Sequence, residues 1–187
     1  MRLSVVCYLD LVSTDAIRTI QQELASLTGA KASLELWRPH ITVGDGVEVD
    51  EQELNDFVHQ LEELSNARHS FQLQLRDILK LQTRVGGEGE ETTPYGLYLE
   101  VKQTDDLISL VEGVAKASHN LYKWYQMPQP YHPHCSLAFK DLSKEGFKKG
   151  SVLLDERDIN ITVTINHIAL VEMLPDETRE LTRVNLI

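Results

Sequence analysis

The chain has 187 residues, of which 42% are hydrophobic and 25% are charged, a balance typical of one soluble globular domain. With 29 acidic and 18 basic residues its formal net charge is −11, which argues against tight non-specific binding along a nucleic-acid backbone. No apolar run approaches the roughly 20 residues of a membrane-spanning helix, and the apolar start before Asp10 is too short for a signal peptide, so we expect a cytoplasmic protein without membrane association.

Hydrophobic periodicity predicts alternating strands and helices. A strand over residues 3–9 precedes a helix near 14–27, with Ser13, Thr14 or Asp15 as its N-cap and Gly29 as its stop. Further helices are predicted near 51–64 and 105–120 and from Ser143 onwards. The other predicted strands cover approximately 34–36, 40–43, 70–76, 79–85, 95–101, 134–137, 159–165, 166–173 and 180–186.

Strand and helix units recur in both halves of the chain. Their order favours an α+β fold with mostly antiparallel sheets and outer helices over a doubly wound parallel sheet. We expect one domain over residues 1–187 with two lobes. The segment 86–94, rich in glycine and acidic residues, is predicted as an exposed hairpin tip, and it lacks the Gly-Lys-Ser/Thr of a P-loop.

Two short strings, one in each half of the chain, repeat the pattern Pro-His-x-(Thr or Ser)-apolar. The first contains His40 and Thr42, and the second contains His134 and Ser136. Because side chains alternate between the two faces of a strand, each histidine shares a face with the hydroxyl two residues on. The apolar residues between them can pack into a core. Two such pairs in matching halves suggest one shared site.

Residues 40–43 and 134–137 resemble the paired H-x-(T/S)-x motifs of the two-histidine (2H) phosphoesterase superfamily. The flanking segments 38–39, 131–133 and 138–142 look like those of bacterial members described as 2′-5′ RNA ligase-like. The resemblance implies a bilobal fold with pseudo-two-fold symmetry, in which two mainly antiparallel sheets face a central cleft and the helices lie outside. It also implies that His40 and His134 approach one phosphate from opposite sides.

The activity implied by this resemblance is that of a metal-independent phosphodiesterase, without a cofactor, that acts on a 2′,3′-cyclic phosphate or a 2′-5′-linked nucleotide. Hydrolysis requires one proton to leave water and another to reach the departing ribose oxygen, and histidine performs either transfer near neutral pH. The hydroxyls of Thr42 and Ser136 can donate hydrogen bonds to the non-bridging phosphate oxygens. The sequence leaves open which histidine is the acid and which is the base.

Two alternatives to hydrolysis are left open. The site can belong to a nucleotide- or phosphate-binding module without turnover, or to a 2′-5′ RNA ligase that runs the same transesterification in reverse. The expected partner is a small nucleotide or an RNA terminus, and the acidic charge disfavours a large structured RNA. The chain is expected to be a monomer.

Aromatic residues near the motifs are candidates for stacking on a nucleobase. Trp37 and Tyr131 are the best placed because they stand next to the motifs, while packing in the core or at the rim is the competing interpretation. Further aromatic candidates are Tyr95, Trp124 and Tyr125.

Polar neighbours of the motifs complete the set of possible substrate-binding residues. Arg38 either orients the phosphate or forms a surface salt bridge, and His132 is expected at the cleft rim. Some RNA-acting relatives carry an arginine shortly after the second motif, where this chain has Phe139 and then Lys140. Lys140 is in phase with His134 and can supply the missing cation if the strand continues.

The remaining titratable residues are interpreted as structural. Cys7 and Cys135 lack metal-type spacing and are expected to be buried thiols. His132 and His134 share a face but have no clear third ligand, so no metal site is predicted. We expect a structural role for His167 in a late strand. Surface positions are predicted for His59, His69 and His119.

Overall fold

The computed structural model of the protein describes residues 1–44, 46–82, 94–123 and 130–187. The helices within these ranges are α1 (Leu11–Thr28), α2 (Ala32–Glu35), α3 (Glu51–Asn66), α4 (Asp105–Ala117) and α5 (Lys144–Asp155). The strands are β1 (Arg2–Tyr8), β2 (His40–Thr42), β3 (Val47–Glu48), β4 (Phe71–Leu81), β5 (Gly96–Val101), β6 (Tyr122–Lys123), β7 (His134–Ala138), β8 (Asn160–Ile165), β9 (His167–Met173) and β10 (Thr178–Asn185). None of the described helices is long and apolar enough to cross a membrane.

The strands form two antiparallel sheets. The order in the first sheet is β10-β9-β1-β3-β6, with β2 also paired to β1, and the order in the second is β7-β5-β4-β8. Helix α3 packs against β9 and β10 of the first sheet, whereas α1 and α5 pack against strands of the second. The predicted α+β class, with two mainly antiparallel sheets and outer helices, is confirmed.

Side-chain alternation along β1 divides its residues between two environments. Val5 and Cys7 belong to a large hydrophobic cluster that also contains buried residues of the second sheet and of the helices. Val6 and Tyr8 point to the other face, where they form a small buried cluster with Ala169 and Val171 of β9. We call these four residues the sheet patch. Each fully buried aliphatic side chain stabilises the fold by about 1.5–3 kcal/mol.

Helix α1 begins earlier than the periodicity predicts because Asp10 is its N-cap, rather than Ser13, Thr14 or Asp15. The Asp10 carboxylate accepts hydrogen bonds from the backbone N–H of Ser13 at 2.9 Å and from that of Thr164 in β8 at 3.2 Å. This cap joins the end of β1 to an edge strand of the other sheet. Gly29 ends the helix in the left-handed conformation at φ 80°, as predicted.

The prediction of a short strand near 34–36 is wrong, because the chain forms helix α2 there. The carboxylate of Asp141 accepts hydrogen bonds from the backbone N–H groups of Lys31, at 2.7 Å, and Ala32, at 3.1 Å. Arg18 donates a hydrogen bond to the carbonyl of Leu34. These partners lie 16 or more positions away in sequence, so local periodicity carries no information about them.

The strand predicted over 70–76 and the first part of the strand predicted over 79–85 form a single strand, β4, while residues 83–85 lie outside the described residues. Its register with β5 shifts between Arg76 and Ile78, and Asp77 between them adopts a φ of 58°. A β-bulge of this kind interrupts side-chain alternation without ending the strand. Most of the predicted loop at 86–94 lies outside the described residues.

Candidate active site

The first motif strand, β2, pairs with the end of β1. Tyr8 lies opposite His40, and Val6 lies opposite Thr42, in antiparallel register. His40 and Thr42 are half-buried, whereas Ile41 is fully buried. Because directly opposed residues share a face of a sheet, the His40 and Thr42 side chains stand on the same face as the sheet patch.

The second motif strand, β7, pairs with β5 of the other sheet. Glu100 lies opposite His134, and Tyr98 lies opposite Ser136. His134 and Ser136 are half-buried and Cys135 is buried, which repeats the pattern of β2. Each sheet therefore presents one imidazole and one hydroxyl from neighbouring positions on a single face.

Both motif imidazoles are held by the same hydrogen bond. The Nδ1 atom of His40 lies 2.8 Å from the carbonyl oxygen of Arg38, and the Nδ1 atom of His134 lies 2.8 Å from that of His132. A carbonyl oxygen only accepts, so the proton of the neutral ring is on Nδ1 in both cases. The Nε2 atom of each ring then carries the lone pair that can take up a proton.

Contacts between β2 and β7 bring the two motifs together. The Tyr131 hydroxyl, just before β7, donates a hydrogen bond of 2.8 Å to the carbonyl oxygen of Thr42. The backbone N–H of His40 hydrogen-bonds the buried thiol of Cys135. Because these contacts cross from one sheet to the other, they hold the two imidazoles on adjoining strands.

The surroundings of the two imidazoles favour the neutral form of each ring. Burial lowers the pKa of His40 to about 4, the hydrogen bond to Arg38 opposes this shift, and the nearby His134 adds to it. Burial also lowers the pKa of His134, against the hydrogen bond to the carbonyl of His132, while the His132 side chain lowers it further. A phosphate anion between the two rings favours their charged form and therefore raises both pKa values.

An aromatic ring accompanies each motif histidine, but the two geometries differ. The Trp37 and His40 ring centroids are 4.4 Å apart with an interplanar angle of 31°. The Tyr98 ring meets His134 edge-on, at 4.7 Å and 73°. Gly96 makes room for this tyrosine, because a Cβ at Gly96 would lie 2.3 Å from the Tyr98 hydroxyl oxygen.

The predicted flanking residues occupy different surroundings. The Tyr131 hydroxyl is engaged with β2, and the half-buried Trp37 ring is stacked on His40. Arg38 donates a 3.1 Å hydrogen bond to the carbonyl of Leu9 and lies 4.9 Å from the Tyr8 ring centroid. His132 is exposed. Their substrate-binding roles remain predictions.

The condition for Lys140 to share a strand face with His134 is that the strand continues, and this condition is not met because β7 ends at Ala138. Ser136 pairs with Tyr98, but the register then shifts and Ala138 pairs with Leu97, so Ala138 is buried in the core. Lys140 itself has a φ of 75°, which lies outside regular strand geometry. Strand phase therefore gives no reason to place the Lys140 ammonium group beside His134.

Sequence reasoning misses several residues that support the site. Tyr8 and Tyr98 are not recognisable as neighbours of the motif histidines, because strand pairing cannot be read from a single strand. Gln21 of α1 is buried and donates a 2.9 Å hydrogen bond to the carbonyl of Ser136. Its own side-chain oxygen accepts a 3.2 Å hydrogen bond from Arg18. The sequence contains one signal for this role, because Gln21 is a polar residue on the mainly apolar face of α1.

The other predictions concern residues away from the two motifs. Cys7 and Cys135 are buried free thiols, and burial raises the pKa of both, that of Cys135 to about 12. His167 is buried in β9, with its Nδ1 atom 2.6 Å from the side-chain oxygen of Asn166. Trp124 and Tyr125 lie outside the described residues. Within the described ranges no group of three metal-ligating side chains is present.

The duplicated strand motif on two facing sheets defines a 2H phosphoesterase. A sequence model of the 2′-5′ RNA ligase superfamily matches residues 37–177, and the chain belongs to this superfamily. No curated protein matches the chain.

Solved structures share the fold at low sequence identity. The protein TT0787 of Thermus thermophilus superposes with a TM-score of 0.67 and 20% identity, covering 100% of this chain and 98% of that one. LigT of E. coli complexed with 3′-AMP superposes with a TM-score of 0.61 and 16% identity, covering 99% of this chain and 97% of LigT. The PDE domain of MHV ns2 superposes with a TM-score of 0.53 and 11% identity, covering 92% of this chain and 100% of that domain. The shared architecture thus extends over nearly the whole chain.

Proposed function

We propose that the protein is a metal-independent phosphodiesterase that hydrolyses a 2′,3′-cyclic phosphate or a 2′-5′-linked nucleotide or RNA end. The observation that carries this proposal is the matched pair of imidazoles, His40 and His134, on adjoining strands of opposite sheets. Both are in the tautomer that leaves Nε2 free to exchange a proton. The structure of E. coli LigT with 3′-AMP, a nucleotide with a single ribose phosphate, is consistent with a substrate of this class.

The reaction needs one neutral and one protonated imidazole. The neutral ring removes a proton from water as the water oxygen attacks phosphorus, and the bond from phosphorus to one ribose oxygen breaks. The protonated ring gives its proton to that departing oxygen, so the product is a phosphate monoester beside a free hydroxyl. Two histidines suffice for these transfers, and each contributes about 10²- to 10⁴-fold to the rate.

The hydroxyls of Thr42 and Ser136 are placed to stabilise the phosphorane-like transition state. Each lies on the same strand face as its histidine, two residues on. We infer that they donate hydrogen bonds to the two non-bridging oxygens, where negative charge increases during attack. Donors of this kind each lower the barrier by about 2.7–4 kcal/mol in enzymes where one has been removed.

Two single variants test the proposal. The purified protein is assayed in EDTA with 2′,3′-cyclic mononucleotides, 2′-5′ dinucleotides and RNA ending in a cyclic phosphate. We expect hydrolysis of at least one substrate, and a loss of about 10²-fold or more in both His40→Ala and His134→Ala. His59→Ala is the matched control, since this histidine is exposed on α3.

The outcomes separate the proposal from its alternatives. Retained hydrolysis in both histidine variants contradicts the two-histidine mechanism. Binding of cyclic nucleotides without turnover by the wild type supports a binding module instead. Formation of joined RNA without hydrolysis supports a ligase.

A further inference from the structure

Trp37 lies between the sheet patch and the first motif histidine. On one side it packs against the patch formed by Val6, Tyr8, Ala169 and Val171. On the other side its ring is within 4.4 Å of the His40 ring, centroid to centroid, and inclined by only 31°. A ring in this position is occupied by the protein itself, so it is poorly placed to serve as a free platform for a nucleobase.

The residues on either side of Trp37 are held by hydrogen bonds, one through the backbone of Leu36 and one through the side chain of Arg38. The Thr178 hydroxyl in β10 donates a 2.8 Å hydrogen bond to the carbonyl of Leu36, which precedes Trp37. Arg38, which follows it, donates to the carbonyl of Leu9. Because both neighbours of Trp37 are held, the indole has little freedom to leave the His40 ring.

Three contacts define the orientation of the His40 imidazole. The carbonyl of Arg38 holds Nδ1 at 2.8 Å, Trp37 covers one ring face, and Tyr8 stands nearly at right angles to the ring with its centroid 6.5 Å away. The Nε2 edge is left for proton exchange. His134 lacks a stacked partner among the described residues, because its aromatic neighbour Tyr98 meets it edge-on.

We propose that Trp37 is the positioning residue of His40: its indole fixes the plane of the imidazole and stabilises the ring in its doubly protonated, cationic form. The face of an indole carries negative potential, so it attracts a cation stacked on it. Burial disfavours the same cation, and Trp37 offsets part of that penalty without admitting water. The catalytic part of this inference rests on the proposed phosphodiesterase activity.

Other charged or titratable groups also act on this histidine, and the experiment must hold them constant. They are Tyr8 on β1, His134 and Cys135 on β7 and Arg38 in its own segment, while Arg18 on α1 interacts with Cys135 and Arg38. All of them are retained when residue 37 alone is substituted. Differences between such variants therefore report on the ring at that position.

The first test compares Trp37→Leu with Trp37→Phe in the ligand-free protein. Leucine keeps an apolar cover over His40 but removes the aromatic face, whereas phenylalanine keeps a face. NMR titration of the His40 ring, assigned with His40→Gln, should show a pKa lower by about half a unit to one unit in Trp37→Leu. In Trp37→Phe it should stay near the wild-type value. Equal pKa values in all three proteins overturn the proposal, and circular dichroism spectra verify that each variant is folded.

The second test uses the hydrolysis reaction. The limb of the pH–kcat profile that reports His40 should move in Trp37→Leu, by the shift seen in the titration, and return in Trp37→Phe. A KM that rises severalfold with an unchanged pH profile would instead make Trp37 a base-stacking residue and overturn the positioning role. If the wild type hydrolyses nothing, the proposed function fails, while the titration still decides the role of Trp37.

Discussion

Substitution of His40 by glutamine should make the stability of the protein less sensitive to acid. An imidazole in the unfolded chain has a pKa near 6.5, whereas burial lowers the pKa of the folded His40 to about 4. Between these values the unfolded state binds a proton that the folded state does not. Stability therefore falls as the pH falls through this window, and above pH 7 the ring contributes no pH dependence.

The size of the effect follows from the two pKa values. The difference of roughly 2.5 units, at 1.36 kcal/mol per unit, gives a loss of about 3.4 kcal/mol once the pH is below both values. At pH 4.5 about 2.5 kcal/mol of this loss has occurred. This is a large fraction of the roughly 5–15 kcal/mol that typically stabilises a domain.

Urea unfolding followed by circular dichroism, in phosphate-free buffer at pH 7.5 and pH 4.5, measures this loss. The wild type should lose about 2.5 kcal/mol more than His40→Gln between the two pH values. His59→Gln, which removes an imidazole that is 71% exposed on α3, should behave like the wild type. If the wild type and His40→Gln show the same change with pH, burial does not depress the ionisation of His40 and the reasoning is refuted.

Three further changes test other parts of the site. Tyr131→Phe removes the hydrogen bond to the Thr42 carbonyl and should lower the free energy of unfolding by about 0.5–1.5 kcal/mol, measured by urea denaturation. An unchanged free energy of unfolding would show that this contact does not help to hold β2 beside β7. Thr42→Ala should reduce kcat by about 10²- to 10³-fold with little change in KM, and an effect on KM alone would contradict transition-state stabilisation. Gly96→Ala places a methyl group within 2.3–2.5 Å of atoms of the Tyr98 side chain, so it should destabilise the fold by about 1–3 kcal/mol. It should also lower kcat, because the displaced Tyr98 ring contacts His134. A variant with the stability and kcat of the wild type would refute this.

Much of the fold follows from patterns that local physical chemistry controls. The helix that ends at Gly29 and the one capped by Thr104 are predictable because caps and amphipathic spacing act within one or two turns. Segment 34–36 is predicted wrongly because Asp141 and Arg18, both distant in sequence, stabilise a helix there. The two strands predicted within β4 are separated by a bulge that alternation alone interprets as a break.

As with the fold, the arrangement of side chains at the site is predictable where local structure decides it and is not predictable where distant contacts do. The placement of His40 and Thr42 on one face, and of His134 and Ser136 on another, follows from the two-residue period of a strand. The same reasoning fails for Lys140, because a bulge changes the phase and β7 ends before it. Side-chain alternation predicts the face of a residue only as far as the regular strand extends.

The sequence by itself determined which side chains share a strand face, because that depends on neighbours two positions away. Only the tertiary structure decided that β2 and β7 adjoin, since the contact between Tyr131 and Thr42 spans 89 positions of the chain. It also decided the ionisation of the two imidazoles. Burial, which lowers both pKa values, arises only when separate segments pack together, whereas the carbonyls that hold Nδ1 lie two residues from each ring.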